Sequence, residues 1–190
     1  MRLYLTTIER FSDTAPALLD AQRAEEYAKA KNGRRRQEML AGCGLLRYAL
    51  SDCGYDVSEK ALPVLYTEDG KPYLQDGPYF SISHSGELIA CVVSSENAGV
   101  DVERMSRFTG SKVAKKILSE TEYECYAKLD TDAKMRYLAD RWTAKEAISK
   151  FLGKGIAVPF SLLSAEDYRT TVWTVERNGE VYYIQTARMR

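Results

Sequence analysis

Apolar residues recur along this chain with two different spacings, and these spacings predict an alternation of strands and helices. The opening stretch RLYLTTI predicts a first β-strand. A helix is predicted to open at Pro16 and run through ALLDAQRAEEYAKA, because proline is favoured in a first helical turn. Asn32 and Gly33 end this helix, and a second helix is predicted from about Arg34 through RRRQEMLAGCGLLRYAL.

Between Pro63 and Glu103 the pattern changes to short apolar runs separated by Gly, Pro and Asp. The runs are VLYT, PYF, LIACVVS and AGVDVE. Short runs bounded by turn residues are typical of strands, so this part of the chain predicts a small antiparallel sheet.

Helices are predicted to return after Arg104. The sequence SETE at 119–122 has the spacing of a capping box, and a long helix is predicted from about Thr131 to Leu152, ending at Gly153. The last segment, TVWTVERNGEVYYIQTA, predicts two strands joined at Asn178-Gly179, a pair that suits a type I′ hairpin turn.

The order of strand, helices and strands therefore occurs twice. This predicts an α+β fold made of two similar halves with a pseudo-twofold relation. The halves are predicted to span residues 1–105 and 106–190.

Composition narrows the classes of partner. The 190 residues include 27 Lys and Arg and 27 Asp and Glu, so the formal net charge is zero. No global field then attracts nucleic acid or an anionic membrane, and neither is expected as a partner. The N-terminal residues contain no apolar run long enough for a signal peptide or a membrane span, and the four cysteines form no CxxC pair. We therefore expect a cytoplasmic protein with reduced thiols.

Two acidic residues interrupt the apolar run AGVDVE. The side-chain period of a strand sends Val100 and Val102 to one face and Asp101 and Glu103 to the other. Two carboxylates that face one space are best stabilised by a hard divalent cation such as Mg²⁺, although Mn²⁺ also accepts oxygen ligands. The alternative interpretation is an ordinary strand with a solvated polar face.

A second acidic position lies in RWTAKEAISKFLGKG. Glu146 and Lys150 are one helical turn apart and are therefore neighbours. They are either an ordinary surface ion pair or a third carboxylate for the same metal beside a lysine that meets an anion.

The only histidine, His84, lies in SISHSG. Ser83, Ser85 and Gly86 predict a turn whose hydroxyls and N–H groups can hold a phosphate, with the imidazole as a further donor. A single histidine is otherwise often just a hydrogen-bonded loop or core residue. Two further features have the same two interpretations, either an anion-binding site or a purely structural role. They are the stiff turn Gly70-Lys71-Pro72 and the run Arg34-Arg35-Arg36 at a helix start.

The motifs GKP, SISHSG, GVDVE and RWTAKEAISKFLGKG, in this order, resemble the motif series of the 4′-phosphopantetheinyl transferases of the Sfp type. The resemblance covers about residues 70–165. It implies two fused α+β halves with the active site at their interface, in a monomeric enzyme. It also implies transfer of the phosphopantetheine arm of coenzyme A to a serine of an apo acyl or peptidyl carrier protein, with release of adenosine 3′,5′-bisphosphate.

The resemblance also implies roles for individual residues. Asp101, Glu103 and Glu146 match the Mg²⁺ ligands. The residues that match cofactor contacts are Lys71 and Pro72 near the adenine, Ser83 and His84 near the phosphates, and Lys150. The expected catalytic residues are Glu146, Lys150 and His84, with Glu146 or a water that it orients as the base.

The N-terminal helix departs from the family's pattern. Glu38 and Met39 stand near the place of an expected basic residue, so Arg34, Arg35 and Arg36 are assigned to the cofactor only as a group, of which Arg34 and Arg36 are preferred. A catalytically silent module that binds coenzyme A or a carrier protein is the alternative function. The expected carrier contact is the segment from Arg107 to Leu129, including Phe108, Lys112, Lys115, Lys116 and Ile117.

Overall fold

The computed structural model describes residues 1–58, 60–110, 112–154 and 159–190 of the chain. It is a mixed structure of helices and strands, as the α+β prediction requires. The strands are β1 (Arg2–Thr7), β2 (Val64–Tyr66), β3 (Pro72–Leu74), β4 (Tyr79–Ser85), β5 (Leu88–Ser94), β6 (Gly99–Arg104), β7 (Tyr168–Arg177) and β8 (Glu180–Met189). The α-helices are α1 (Ala21–Lys29), α2 (Gly33–Asp52), α3 (Ala114–Ile117), α4 (Glu120–Ala127) and α5 (Thr131–Leu152).

The N-terminal sheet has the strand order β1-β5-β4, and both pairings are antiparallel. Helix α2 covers one face of this sheet and contributes Leu45, Ala49 and Leu50 to a buried core with Ile89 and Cys91 of β5. Strand β5 is buried along its whole length, which explains its unbroken apolar run.

The C-terminal sheet has the strand order β6-β8-β7, again antiparallel throughout. Helix α5 packs closely against the start of β6, since a Cβ atom at Gly99 would overlap the backbone of Ala147. The predicted hairpin is confirmed, because Asn178 and Gly179 both have positive φ and join β7 to β8.

A row of serines joins the two sheets. Ser81, Ser83 and Ser85 alternate along β4, and their hydroxyls meet β6: Ser81 Oγ accepts from Val100 N, and Ser85 Oγ accepts from Arg104 N. Side-chain hydrogen bonds thus replace a backbone ladder at this junction. Strand β6 precedes residue 105 but pairs with β8, and the division of the chain at residue 105 stays a prediction.

Several local predictions can be compared with the structure. The capping box at Ser119 and the helix Thr131–Leu152, which ends at a left-handed Gly153, are confirmed. The continuous helix from Pro16 is wrong: a 3₁₀ turn at Pro16–Leu18 is followed by α1, whose first turn is capped by Asp20. Asp20 accepts a hydrogen bond from the Arg23 N–H, and this local bond restarts the helix.

The predicted turn at SISHSG is also wrong in its extent. Ser83, His84 and Ser85 lie within β4, and only Gly86 lies in the turn to β5.

The four cysteines, Cys43, Cys53, Cys91 and Cys125, are free thiols, as predicted. In the part of the chain that the structure describes, every helix is too short or too polar to cross a membrane.

Candidate functional site

A cavity of about 520 Å³ lies where β4, β6 and α5 meet. Its wall includes most of the residues singled out in the sequence: Lys71, Pro72, Ser83, His84, Asp101, Glu103, Glu146 and Lys150. Arg35 also lines it, whereas Arg34 and Arg36 are absent from its lining. The fold therefore gathers residues from Arg35 to Lys150 into one concave site.

Asp101 is the most constrained acid of the site. Its residue is only 3% exposed, because Val100 and Val102 on the opposite face of β6 anchor the strand in the core. Its Oδ1 atom accepts hydrogen bonds from Ser83 Oγ at 2.7 Å and from Lys150 Nζ at 2.6 Å. The other oxygen, Oδ2, is buried and has no hydrogen-bond partner among the residues that the structure describes.

Glu103 is held in a parallel way. Ser85 Oγ donates to its Oε2 atom at 2.8 Å, and the Arg107 guanidinium forms an ion pair with its Oε1 atom. Both predicted metal carboxylates thus lie on the same side of β6 and are largely withdrawn from water, so the alternative of a solvated polar face is wrong.

Glu146 approaches this pair from α5. Burial raises the pKa of its carboxyl, and the negative charge of Asp101 raises it further, while Lys150 and Arg107 act in the opposite direction. A carboxylate with a raised pKa is a stronger base than an ordinary glutamate, which suits proton abstraction.

The donor set suits a hard divalent cation. The three acids supply only oxygen, as Mg²⁺ prefers, and the unpartnered Asp101 Oδ2 is an oxygen that such an ion would satisfy. Among the described residues, no group of three or more His, Cys, Asp or Glu side chains has the arrangement of a metal centre. The cations of Lys150 and Arg107 neutralise Asp101 and Glu103 instead.

His84 projects from β4 beside α2. Its Nε2 atom lies 3.3 Å from Arg35 Nη1, and because a guanidinium only donates, Nε2 is the acceptor. Its Nδ1 atom lies 3.7 Å from Glu38 Oε1. Burial lowers the pKa of the imidazole, which Glu38 partly opposes, so His84 is neutral at pH 7 in the free protein.

Lys71 connects the β2–β3 hairpin to the end of α5. Its Nζ atom donates to Phe151 O at 2.8 Å and to Asn97 Oδ1 at 2.5 Å. Burial lowers the pKa of this lysine to about 8. Its ammonium therefore caps a helix C-terminus, where a cation is favoured, at the edge of the cavity.

The three consecutive arginines of α2 are divided by the helix geometry. Arg34 pairs with Glu38 at 3.3 Å and donates to the Gly86 carbonyl, and the Arg36 guanidinium lies 5.3 Å from the centre of the Tyr27 ring. Arg35 alone among them lines the cavity. Successive helical positions point about 100° apart, so one site cannot receive all three.

Lys145 of the KEA motif points away from the cavity. It is 0% exposed, and its Nζ atom donates to Ile117 O at 2.7 Å and to Glu122 Oε2 at 2.5 Å. Since Glu122 also completes the capping box of α4, this lysine ties α4 to α5. Its place is structural.

Sequence reasoning missed or underused several residues of the site. The sequence does not predict that Glu38 lies beside His84, that Asn97 binds Lys71, or that Arg107 pairs with Glu103. The spacing of Glu103 and Arg107, and the alternation of serines along β4, are visible signals, but only a known strand pairing makes them informative.

Several known proteins are similar in sequence to this chain. Residues 97–188 match the family model of the 4′-phosphopantetheinyl transferase superfamily. The chain is 31% identical over 154 residues to a 4′-phosphopantetheinyl transferase of Bacillus subtilis. The matched residues make up 80% of this chain and 68% of that protein. It is 30% identical over 148 residues to 4′-phosphopantetheinyl transferase Sfp of Bacillus subtilis (strain 168), covering 75% of this chain and 65% of that protein.

A solved structure is also similar in part. The crystal structure of a holo-(acyl-carrier-protein) synthase from Bacillus anthracis is 23% identical with a TM-score of 0.39, over 48% of this chain and 93% of that chain.

The fold and the cavity define a protein with an acidic site flanked by lysines that can bind phosphate groups. The chain belongs to the 4′-phosphopantetheinyl transferase superfamily, and the predicted relation to its Sfp type is confirmed.

Proposed function

We propose that this protein transfers the 4′-phosphopantetheine group of coenzyme A to a serine of an apo acyl or peptidyl carrier protein. The observation that carries the proposal is the row of Asp101, Glu103, Glu146 and Lys150 in one cavity. Each of these residues comes from a motif that the superfamily resemblance singled out, and the superfamily membership supports the same reaction.

We assign the metal-ligand role to Asp101, Glu103 and Glu146, with Mg²⁺ or Mn²⁺ as the ion. The all-oxygen donor set and the unpartnered Asp101 Oδ2 support this assignment. A bound divalent cation would neutralise negative charge on the diphosphate.

Lys150, Lys71 and Arg35 are the proposed phosphate contacts from the protein itself, and Pro72 would border the adenine. Lys150 and Lys71 are part-buried cations in the cavity wall, where charge is screened less than in water. We assign to Arg35 the cofactor contact that the sequence assigned to Arg34 and Arg36, because Arg35 alone of the three lines the cavity. His84 would donate one hydrogen bond to a phosphate oxygen.

Glu146 is the proposed base. The serine hydroxyl of the carrier attacks the phosphorus that bears the pantetheine arm, the diphosphate P–O bond breaks, and adenosine 3′,5′-bisphosphate leaves. The hydroxyl proton goes to Glu146 or to a water that it orients. Burial raises the pKa of Glu146 while no ion is bound, but a carboxylate that binds the ion is a weak base, so the oriented water takes the proton when Glu146 is a ligand.

The carrier is proposed to contact the exposed lysines that precede α4, namely Lys112, Lys115 and Lys116. Phe108 and Ile117, which the sequence also assigned to this contact, are each 2% exposed and belong to the core. The proposed contact is therefore basic rather than apolar, as suits an acidic partner.

We also propose that the protein is a cytoplasmic monomer of two halves related by a pseudo-twofold. The four free thiols support a reducing compartment. The repeated topology supports the halves: each has a strand, a long helix and a hairpin whose second strand lies in the centre of the sheet, β1-α2-β4-β5 and β6-α5-β7-β8. This grouping places β6 in the second half, so the proposed boundary lies before β6 rather than at residue 105. Sedimentation velocity tests the oligomeric state.

Intact-protein mass spectrometry tests the reaction. A panel of apo carrier proteins is incubated with coenzyme A, Mg²⁺ and either the wild type or Glu103→Ala. We expect a mass gain of one phosphopantetheine that requires Glu103. Metal-dependent binding of coenzyme A without any mass gain would instead indicate a catalytically silent binding module.

A further inference from the structure

Each buried carboxylate of β6 is held by one serine from β4 and one cation from the C-terminal part of the chain. Asp101 is held by Ser83 and Lys150, and Glu103 is held by Ser85 and by the guanidinium of Arg107. The two arrangements repeat each other at a spacing of two residues. Lys150 belongs to a motif of the superfamily resemblance, but Arg107 does not.

Arg107 is well placed to act on the acidic site. It lies in the 3₁₀ turn Met105–Phe108 that directly follows β6, four residues after Glu103. Its guanidinium carbon lies 4.5 Å from the centre of the Trp142 ring and 5.9 Å from that of Phe108. A guanidinium stacked on aromatic rings is restrained in its orientation, so the charge is aimed at Glu103 before any ligand binds.

The same arginine also contacts helix α5. Its guanidinium stacks on Trp142, which precedes Glu146 by one turn of this helix. Arg107 therefore lies between β6 and α5, and it contacts the carboxylates assigned to the metal through Glu103. Its side chain is still 46% exposed, so it can move outward without unpacking the core.

We propose that Arg107 is the positioning residue of Glu103: it holds this carboxylate while no divalent cation is bound, and it competes with that cation for Glu103. The inference rests on the proposed function, since it takes Glu103 as a metal ligand. An arginine keeps its charge at every physiological pH, so the competition is between one fixed positive charge and the incoming ion. Removing the charge should tighten metal binding, although it leaves Glu103 less well held in the metal-free protein.

Direct measurement of Mn²⁺ binding tests this competition. Titration calorimetry compares the wild type with Arg107→Gln, Arg107→Lys and, as a control, Arg136→Gln, which removes an exposed charge from α5. For a divalent ion several ångströms from the lost charge, we expect the Kd of Arg107→Gln to fall by at least about fivefold. Arg107→Lys keeps the charge and should stay within about threefold of the wild type, as should Arg136→Gln.

Thermal unfolding gives a second readout. The metal-free Arg107→Gln protein should melt below the wild type, and Mn²⁺ should raise its melting temperature by more than it raises that of the wild type. If Arg107 has only a structural role, Arg107→Gln should lower the melting temperature equally with and without Mn²⁺ and leave the Kd for Mn²⁺ unchanged.

Two failures can be told apart. Unchanged or weaker Mn²⁺ binding by Arg107→Gln, with normal binding by the wild type, overturns the role of Arg107 alone. Absence of Mn²⁺ binding by the wild type overturns the metal site of the proposed function, and the inference with it.

Discussion

Replacing Lys150 with methionine should destabilise the protein through Asp101. The Lys150 ammonium is the only cation paired with this acid among the described residues, at 2.6 Å, and the Asp101 side chain is 5% exposed. Methionine keeps the aliphatic packing of the lysine but leaves a buried carboxylate with Ser83 as its single donor.

The magnitude follows from burial. Breaking a fully buried ion pair by removing one partner costs about 3–5 kcal/mol. Lys150 is 31% exposed and the Ser83 hydrogen bond remains, so we expect a loss of about 2–3 kcal/mol in the free energy of unfolding.

Urea unfolding at pH 7 in the absence of divalent ions measures this loss. Lys154→Met is the matched control, because Lys154 lies just beyond the end of α5 and is exposed. Adding Mg²⁺ should restore part of the stability of Lys150→Met, since a second cation can then neutralise Asp101. A loss below about 1 kcal/mol, or no difference from Lys154→Met, would refute the view that Lys150 compensates a buried charge.

Three further predictions follow from single positions. Carrier modification should rise with pH as Glu146 loses its proton, since this carboxylate must be ionised to bind the ion or to orient the attacking hydroxyl. Glu146→Gln should lose this acidic limb together with about 10²-fold or more of kcat, and a limb that this variant retains in a pH-rate profile would exclude Glu146. Coenzyme A affinity should fall as pH rises through about 8, because Lys71 loses its charge there. In calorimetry, Lys71→Met should bind coenzyme A more weakly than the wild type, with an affinity that no longer changes over this pH range. An equal change of affinity with pH in both proteins would contradict this role of Lys71. Gly99→Ala should destabilise the protein by about 3 kcal/mol or more, because the added Cβ atom overlaps the backbone of Ala147. The control variant Gly33→Ala places its Cβ atom in open space and should not destabilise the protein. Equal melting temperatures of the two variants would count against the close packing of β6 on α5.

The arrangement of the site shows where sequence reasoning succeeds. The alternation of valine and carboxylate in GVDVE was enough to send Asp101 and Glu103 to one face, because the side-chain period of a strand is fixed by its backbone. Helical spacing likewise made Glu146 and Lys150 neighbours. Whether these two faces meet depends on how β6 packs against α5, which no local spacing encodes.

The errors have the same origin. SISHSG has the composition of a turn, yet backbone pairing with β5 extends Ser83 to Ser85 as a strand, and their hydroxyls then serve Asp101 and Glu103. Sequence also does not separate Lys145 from Lys150: both lie in RWTAKEAISKFLGKG, but Lys145 is buried against α4 and Lys150 faces the cavity. Tertiary context overrides local preference where burial and partner groups differ.

The sequence by itself determined the mixed fold, the superfamily and eight residues of the cavity wall between Lys71 and Lys150, because these depend on periodicity and on motifs with fixed spacing. Only the tertiary structure decided which of Arg34, Arg35 and Arg36 faces the cavity and which cation neutralises which acid. Those outcomes depend on contacts between residues far apart in sequence, such as Ser83 with Asp101, and their energies arise only once water has been excluded from the junction of the two sheets.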